Sequence, residues 1–168
     1  MSGKALVTYG TKYGATAEIA ENIAQVLGKT GVAADVMDVK DVSGISEYQA
    51  VILGSAVYMG QWRKEMVKFV ESNSTELASK MVWVFASGTT NDVDPVSDMG
   101  DRLYPPKLKP AFEKIMPVEI TAFHGSIQVE KLSGFEKWVI KKVNAPVGDH
   151  RDWDMIKKWA QTISTQVK

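Results

Sequence analysis

Thr11 and Thr16, with glycines at 10 and 14, crowd into seven residues directly behind the apolar run that ends at Tyr9. Hydroxyls and conformationally free glycines at such a point suit the reception of an anion. Apolar residues at Ile19, Ala20, Ile23, Ala24 and Leu27 then recur at helical spacing, so a helix opens near Thr16. A helix N-terminus leaves backbone N–H groups unpaired and carries partial positive charge. The segment Thr11, Lys12, Tyr13, Gly14, Ala15 and Thr16 is therefore a candidate cradle for a terminal phosphate. Backbone N–H groups suffice for that task, so Lys12 either adds charge or points to water.

The elements that must position this loop can be read from the same alternation. Four segments have the composition of buried strands: Lys4–Tyr9, Val32–Val39, Ala50–Ser55 and Met81–Ala86. Val118–Ile127 is a fifth, less regular one. Runs such as Ala50-Val51-Ile52-Leu53 are continuously apolar, as strands covered on both faces are. Helical patterns lie between them: Thr16–Gly28, Gln61–Ser72, a segment from about Pro106 carrying Leu108, Ala111, Phe112 and Ile115, and Trp153–Val167 with Asp152 as N-cap. Strands alternating with helices predict a parallel sheet with helices on both faces. In such a sheet ligands gather at the carboxyl ends of the strands, here after Tyr9, Ser55 and Ala86.

The composition narrows the chemistry. The chain has 168 residues, 45% hydrophobic and 24% charged, with zero formal net charge, which argues against nucleic acid as partner. It contains no cysteine, excluding disulfides, thiolate zinc sites, iron–sulfur clusters and a cysteine nucleophile. No apolar run is long enough to span a membrane and no signal sequence precedes the first strand, so a cytoplasmic location is expected. Residues 129–168 hold eight Lys/Arg against five Asp/Glu, leaving the rest mildly acidic.

Residues 7–20 resemble the flavodoxin fingerprint, with Tyr9, Thr11, Gly14, Thr16 and Ala20 in its places and Thr8 standing where that family carries an apolar or aromatic residue. The resemblance covers nearly the whole chain. It implies a flavodoxin-like three-layer α/β/α sandwich with a five-stranded parallel sheet of order 2-1-3-4-5, and FMN as cofactor. It also implies two flavin-ring segments: Ala56, Val57, Tyr58, Met59 and Gly60, with Tyr58 at the stacking position, and Ser87, Gly88 and Thr89 beside the pyrimidine edge. A second stacking aromatic is absent, Asn91 and Asp92 lying near its place, so one flavin face is open or covered from elsewhere in the chain. Gly54–Val70 and Leu132–Trp159 are further similar to the menaquinone-dependent protoporphyrinogen dehydrogenases, which carry an insertion before the last helix. Its counterpart here spans about 129–151 of a single domain, shorter and less basic than in those enzymes.

Other residues have plainer readings. Phe135, Trp138, Val139 and Val143 form a helical stripe beside Lys137, Lys141 and Lys142. A basic amphipathic helix over 132–143 either contacts a membrane or substrate, or packs on the domain edge. Asp92, Asp94, Asp98 and Asp101 lack the glycine and terminal glutamate of a calcium loop and read as a solvated acidic stretch. His124 and His150 have no ligand spacing and read as structural. Trp62 either supports Tyr58, covers the flavin or meets a partner. The implied roles are an electron carrier between redox protein partners, an enzyme acting on a quinone or porphyrin, and, more remotely, an NAD(P)H-quinone reductase. No acid–base side chain is required for one-electron transfer, because the flavin carries the chemistry.

Overall fold

The apolar runs become strands because helices cover both of their faces. The computed structural model describes residues 3–145 and 147–167; Pro146, inside the expected insertion, lies outside the described residues, as do Met1, Ser2 and Lys168. In chain order the elements are β1 (Ala5–Gly10), α1 (Ala15–Lys29), β2 (Ala34–Asp38), β3 (Ala50–Tyr58), β4 (Gln61–Trp62), α2 (Lys64–Ser72), α3 (Ser74–Leu77), β5 (Met81–Thr89), α4 (Pro95–Met99), α5 (Lys109–Ile115), β6 (Glu119–His124), β7 (Ser126–Ile127), α6 (Gly134–Lys142), β8 (Gly148–Asp149) and α7 (Trp153–Val167). The main sheet runs β2-β1-β3-β5-β6, all parallel. This is the expected 2-1-3-4-5 order, β5 and β6 being its fourth and fifth strands.

Alternate residues of each strand feed two cores. Ala5, Val7, Ala50, Ile52, Trp83 and Phe85 pack with α1 and α7 through Ile19, Ile23, Leu27, Ile156 and Ile163. Leu6, Val51, Leu53, Val82 and Val84 face α2, α4 and α5 through Met66, Val70, Met99, Ala111 and Ile115. Asp152 caps α7 as expected, its Oδ1 accepting the Met155 N–H at 3.1 Å. Asp94 caps α4 by accepting from the Ser97 N–H at 3.0 Å, which gives part of the acidic stretch a structural task.

Thr8 is fully buried on β1, and its Oγ1 has no hydrogen-bond partner among the described residues. An unpaired buried hydroxyl forfeits its hydration without return. Thr8→Val keeps the shape and removes the hydroxyl, so it is expected to stabilise the fold by about 1 kcal/mol. Denaturant unfolding checks this: the midpoint should rise at unchanged slope, and a lowered midpoint would show that the hydroxyl is satisfied in solution.

The sequence expectations need three corrections. Gln61 and Trp62 do not start a helix; they form β4, antiparallel to the end of β3 in the register Tyr58↔Gln61 and Val57↔Trp62. The intervening Met59 and Gly60 have φ of 49° and 79°, the positive pair that a tight two-residue hairpin demands. Second, β3 and β5 continue past Ser55 and Ala86, so both ring segments are largely strand ends rather than loops. Third, the last strand of the sheet stops at His124, and Ser126–Ile127 leaves it to pair antiparallel with Gly148–Asp149.

Candidate functional site

The three strand exits meet at one edge, and the loop after β1 leads into a helix N-terminus that lines the cavity between them. Gly14 is the N-cap of α1 in the left-handed region (φ 93°), and no side chain caps the helix. A Cβ there would pull against that backbone, which glycine tolerates. The Gly14 N–H donates to Thr11 Oγ1 at 3.0 Å, tightening the turn. The helix begins at Ala15, so Thr16 sits inside its first turn and is not the cap. Its buried hydroxyl instead shares a 2.9 Å hydrogen bond with Ser87 Oγ on β5. One bond thus ties the first exit to the last.

Beside it, β3 and β5 bring their ends together. Ser55 Oγ accepts the Arg63 N–H at 3.0 Å and so holds the start of α2 against β3. Gly88 interrupts the β5–β6 register between Ser87 and Thr89, with φ of 145°. A Cβ on Gly88 would lie 2.8 Å from the Val57 carbonyl oxygen, and one on Gly125 would lie 2.9 Å from Gly88 Cα. Three backbones approach at this point because two glycines leave the space. Thr89 turns away, its Oγ1 hydrogen-bonded to His124 Nδ1 at 2.9 Å.

Between these exits and α6 lies a cavity of about 240 Å³. Thr11, Lys12, Tyr13, Ala15 and Thr16 line it, as do Ala56, Val57, Tyr58, Met59, Ser87 and Gly88. Of the residues singled out from the sequence, Gly14, Gly60 and Thr89 do not: Gly14 shapes the turn, Thr89 pairs with His124, and Gly60 borders a separate groove against Tyr104 and Phe112. Trp62 is buried, stacked edge-on to Phe112 at 6.1 Å and donating Nε1–H to the Arg102 carbonyl at 2.9 Å, so it neither covers the cavity nor faces outward.

The far wall is the Gly125–Gln128 segment with Leu132, Phe135, Glu136, Val139 and Ile140; Phe135 and Val139 belong to the stripe singled out from the sequence, whereas Glu136 and the Gly125–Gln128 segment were not singled out as site residues. Glu136 is the notable omission. One of its carboxylate oxygens accepts from the Tyr13 hydroxyl and, at 2.5 Å, from the Tyr58 hydroxyl, and also meets Lys12 Nζ at 3.2 Å. These hydrogen bonds, Tyr13 first and then Tyr58, hold its pKa well below the usual carboxylate range. Burial, followed by the bond to Glu136, raises that of Tyr13. The Tyr58 side chain, then Glu136, holds Lys12 above the ordinary lysine value. Lys12 Nζ lies 3.6 Å from the Tyr58 ring centre and pairs with Glu136, so the partly exposed lysine is directed to those partners.

A second cation reaches the turn from the other side. Arg151, its side chain almost fully buried, donates Nη1–H to the Ala15 carbonyl at 3.2 Å and forms a 2.7 Å ion pair with Asp149. That pairing raises the Arg151 pKa and lowers that of Asp149.

The flavodoxin domain family model matches residues 6–154, which include every exit described above. The chain belongs to the flavodoxin domain family. Among solved structures, the flavodoxin of Streptococcus pneumonia TIGR4 superposes with a TM-score of 0.62 at 19% identity, covering 98% of this chain and 99% of that one. A short-chain flavodoxin associated with a non-canonical PDU bacterial microcompartment does so with a TM-score of 0.65 at 15% identity, over the full length of both. A curated relative, the protoporphyrinogen IX dehydrogenase [quinone] of Escherichia coli strain K12, is 23% identical over 96% of this chain and 94% of its own. Family membership makes this an FMN-binding electron-transfer flavoprotein. The donor set suits FMN: an uncapped helix end for the phosphate, and Ser126 Oγ, buried in the cavity wall without a hydrogen-bond partner among the described residues. Among the described residues no helix is long and apolar enough to cross a membrane.

Proposed function

We propose that this flavodoxin is a cytoplasmic redox protein of one domain with an insertion at about 129–151, and that it holds the FMN phosphate on Thr11–Thr16 and the ring between Ala56–Met59 and Ser87–Gly88. The observation that carries this reading is the α1 N-terminus behind left-handed Gly14, open to the cavity and without a side-chain cap. FMN, when bound, supplies electron transfer; the chain binds, orients and shields it. Thr16 and Ser87 fix the distance between the phosphate turn and the ring edge. Lys12 occupies one face of Tyr58, with its ammonium 3.6 Å from the ring centre, so a flavin stacked on Tyr58 in this arrangement takes the opposite face. The place of the missing second aromatic falls to α6, whose Leu132, Phe135, Val139 and Ile140 supply an apolar cover.

FMN and riboflavin differ only in the phosphate, so their comparison tests the reading. FMN is expected to stay with the protein through gel filtration and riboflavin to separate from it. Thr16→Ala removes the bond to Ser87 and is expected to weaken FMN binding about three- to tenfold. Equal retention of the two flavins would sink the phosphate assignment.

A second reading concerns the acceptor. An apolar helix wall beside a flavin suits a hydrophobic partner such as a quinone or porphyrin, and the relatedness to the quinone-dependent dehydrogenase points the same way. A carrier docking onto redox proteins has no need of that wall. Phe135 and Trp138, exposed and stacked at 6.1 Å among Lys137, Lys141 and Lys142, would then face a membrane surface. Anaerobic oxidation of protoporphyrinogen IX by the FMN-loaded protein with a menaquinone analogue, followed by porphyrin fluorescence, separates the two roles. Growth above a flavin-only control favours the enzyme; its absence favours the carrier.

A further inference from the structure

α6 is attached to the rest of the molecule in an unusual way for a helix. α1 and α7 each bury a continuous apolar face, whereas none of the nine residues of α6 is buried. Phe135 and Trp138 are 67% and 55% exposed. What joins the helix to the two flavin-framing segments is largely polar and converges on one carboxylate. Glu136 Oε2 takes the hydroxyls of Tyr13 and Tyr58 and the Lys12 ammonium; Oε1 takes the Ser133 N–H at 3.1 Å, closing a capping box. Just before the helix, Lys131 Nζ donates to the Tyr13 carbonyl at 3.2 Å.

We propose that Glu136 is a positioning residue of the flavin site, setting Lys12, Tyr13 and Tyr58 in one arrangement and fastening α6 across the pocket. The inference rests on the reading above that FMN occupies this pocket. Its three partners come from the β1–α1 turn and the end of β3, the segments that frame the cofactor there. Without the carboxylate, Lys12 loses the anion that draws it over Tyr58, and Tyr13 and Tyr58 lose their shared acceptor. The negative charge matters separately from the hydrogen bonds. An amide oxygen at the same place still accepts from the tyrosines but no longer pairs with Lys12.

The titratable groups facing this carboxylate are Lys12 and Tyr13 from the turn and Tyr58 from β3, with Lys131 on the Tyr13 carbonyl. Glu136 has a lowered pKa, so the fastening is complete at neutral pH and is lost as pH falls through that lowered value. Neutral Glu136 leaves Lys12 unpaired.

Two measurements test the proposal. The first needs no cofactor: hydrogen exchange of the α6 amides in apo-protein, corrected for intrinsic rate. The second is the FMN dissociation rate. Glu136→Ala is expected to speed both about tenfold at pH 7, and Glu136→Gln to fall between it and the wild type. The Tyr13→Phe/Tyr58→Phe double variant removes the same bonds from the other side and should also speed exchange. Unchanged exchange in Glu136→Ala and in the double variant overturns the fastening. Faster exchange with unaltered FMN dissociation overturns the positioning role. Failure of the wild-type protein to retain FMN overturns the pocket reading, and the positioning role with it; the apo-protein exchange distinguishes that failure from loss of the latch.

Discussion

Phe85→Ala is expected to remove about 3–5 kcal/mol of stability, the range for truncating a fully buried aromatic. The ring lies on the α1/α7 side of the sheet, with Phe123 and Trp159 centred 5.7 and 6.0 Å away. Its remaining side is occupied by absence: Gly54, its neighbour across β3 and β5, has no side chain, and a Cβ there would come within 2.1 Å of Phe85 Cζ. The glycine and the ring are therefore one packing unit. Gly54→Ala alone overpacks the site and is expected to cost about 1–3 kcal/mol. In a Phe85→Leu background the same change should cost clearly less, because the flat ring that it strikes is gone. A double-mutant cycle by denaturant unfolding measures this coupling. Additive costs would show that Gly54 is needed for its backbone and not for Phe85. The unit matters to the site because Gly54 immediately precedes Ser55 and Ala56, and Phe85 precedes Ala86 and Ser87.

Much of this arrangement was legible in the chain itself. Continuous apolar runs separated by helical periodicity gave a parallel sheet covered on both faces, the flavodoxin resemblance gave its strand order, and the Gly/Thr-rich turn marked the strand–helix junction that opens on the cavity. The failures have physical causes. Met59-Gly60 lacks the Asn-Gly or Asp-Gly signature of a tight hairpin, yet Met59 adopts positive φ, so β4 was hidden inside an apparent helix start. The pairing of the Thr89 hydroxyl with His124 is set by tertiary approach and left no local signal. Glu136 carried a local signal, the Ser133-x-x-Glu136 capping box, which marks a helix start. Its partners lie 123 and 78 residues away in sequence, and no periodicity reports a contact at that range.

The closest backbone approach in the cavity wall leads to the other large effect, which falls on binding. Gly88→Ala is expected to weaken FMN binding by at least about tenfold while costing about 1–3 kcal/mol of stability. Two terms combine there. A non-glycine residue at φ 145° is strained, and its Cβ would stand 2.8 Å from the Val57 carbonyl. That carbonyl cannot easily retreat, because Val57 is paired with Trp62 across the β3–β4 hairpin and Trp62 is buried against Phe112. The displacement therefore passes along β3 to Tyr58 and along β5 to Ser87, the two sides proposed to frame the ring. Gly60→Ala separates strain from collision. Gly60 also has positive φ, at 79°, but a Cβ there meets nothing within 4 Å. Gly60→Ala should thus lower stability by about 1 kcal/mol and leave FMN affinity nearly unchanged. Flavin fluorescence titration beside thermal unfolding reads both quantities for both variants. Equal losses of affinity would mean that hairpin strain alone governs binding. Unimpaired binding by Gly88→Ala would move the ring away from the β3–β5 contact altogether.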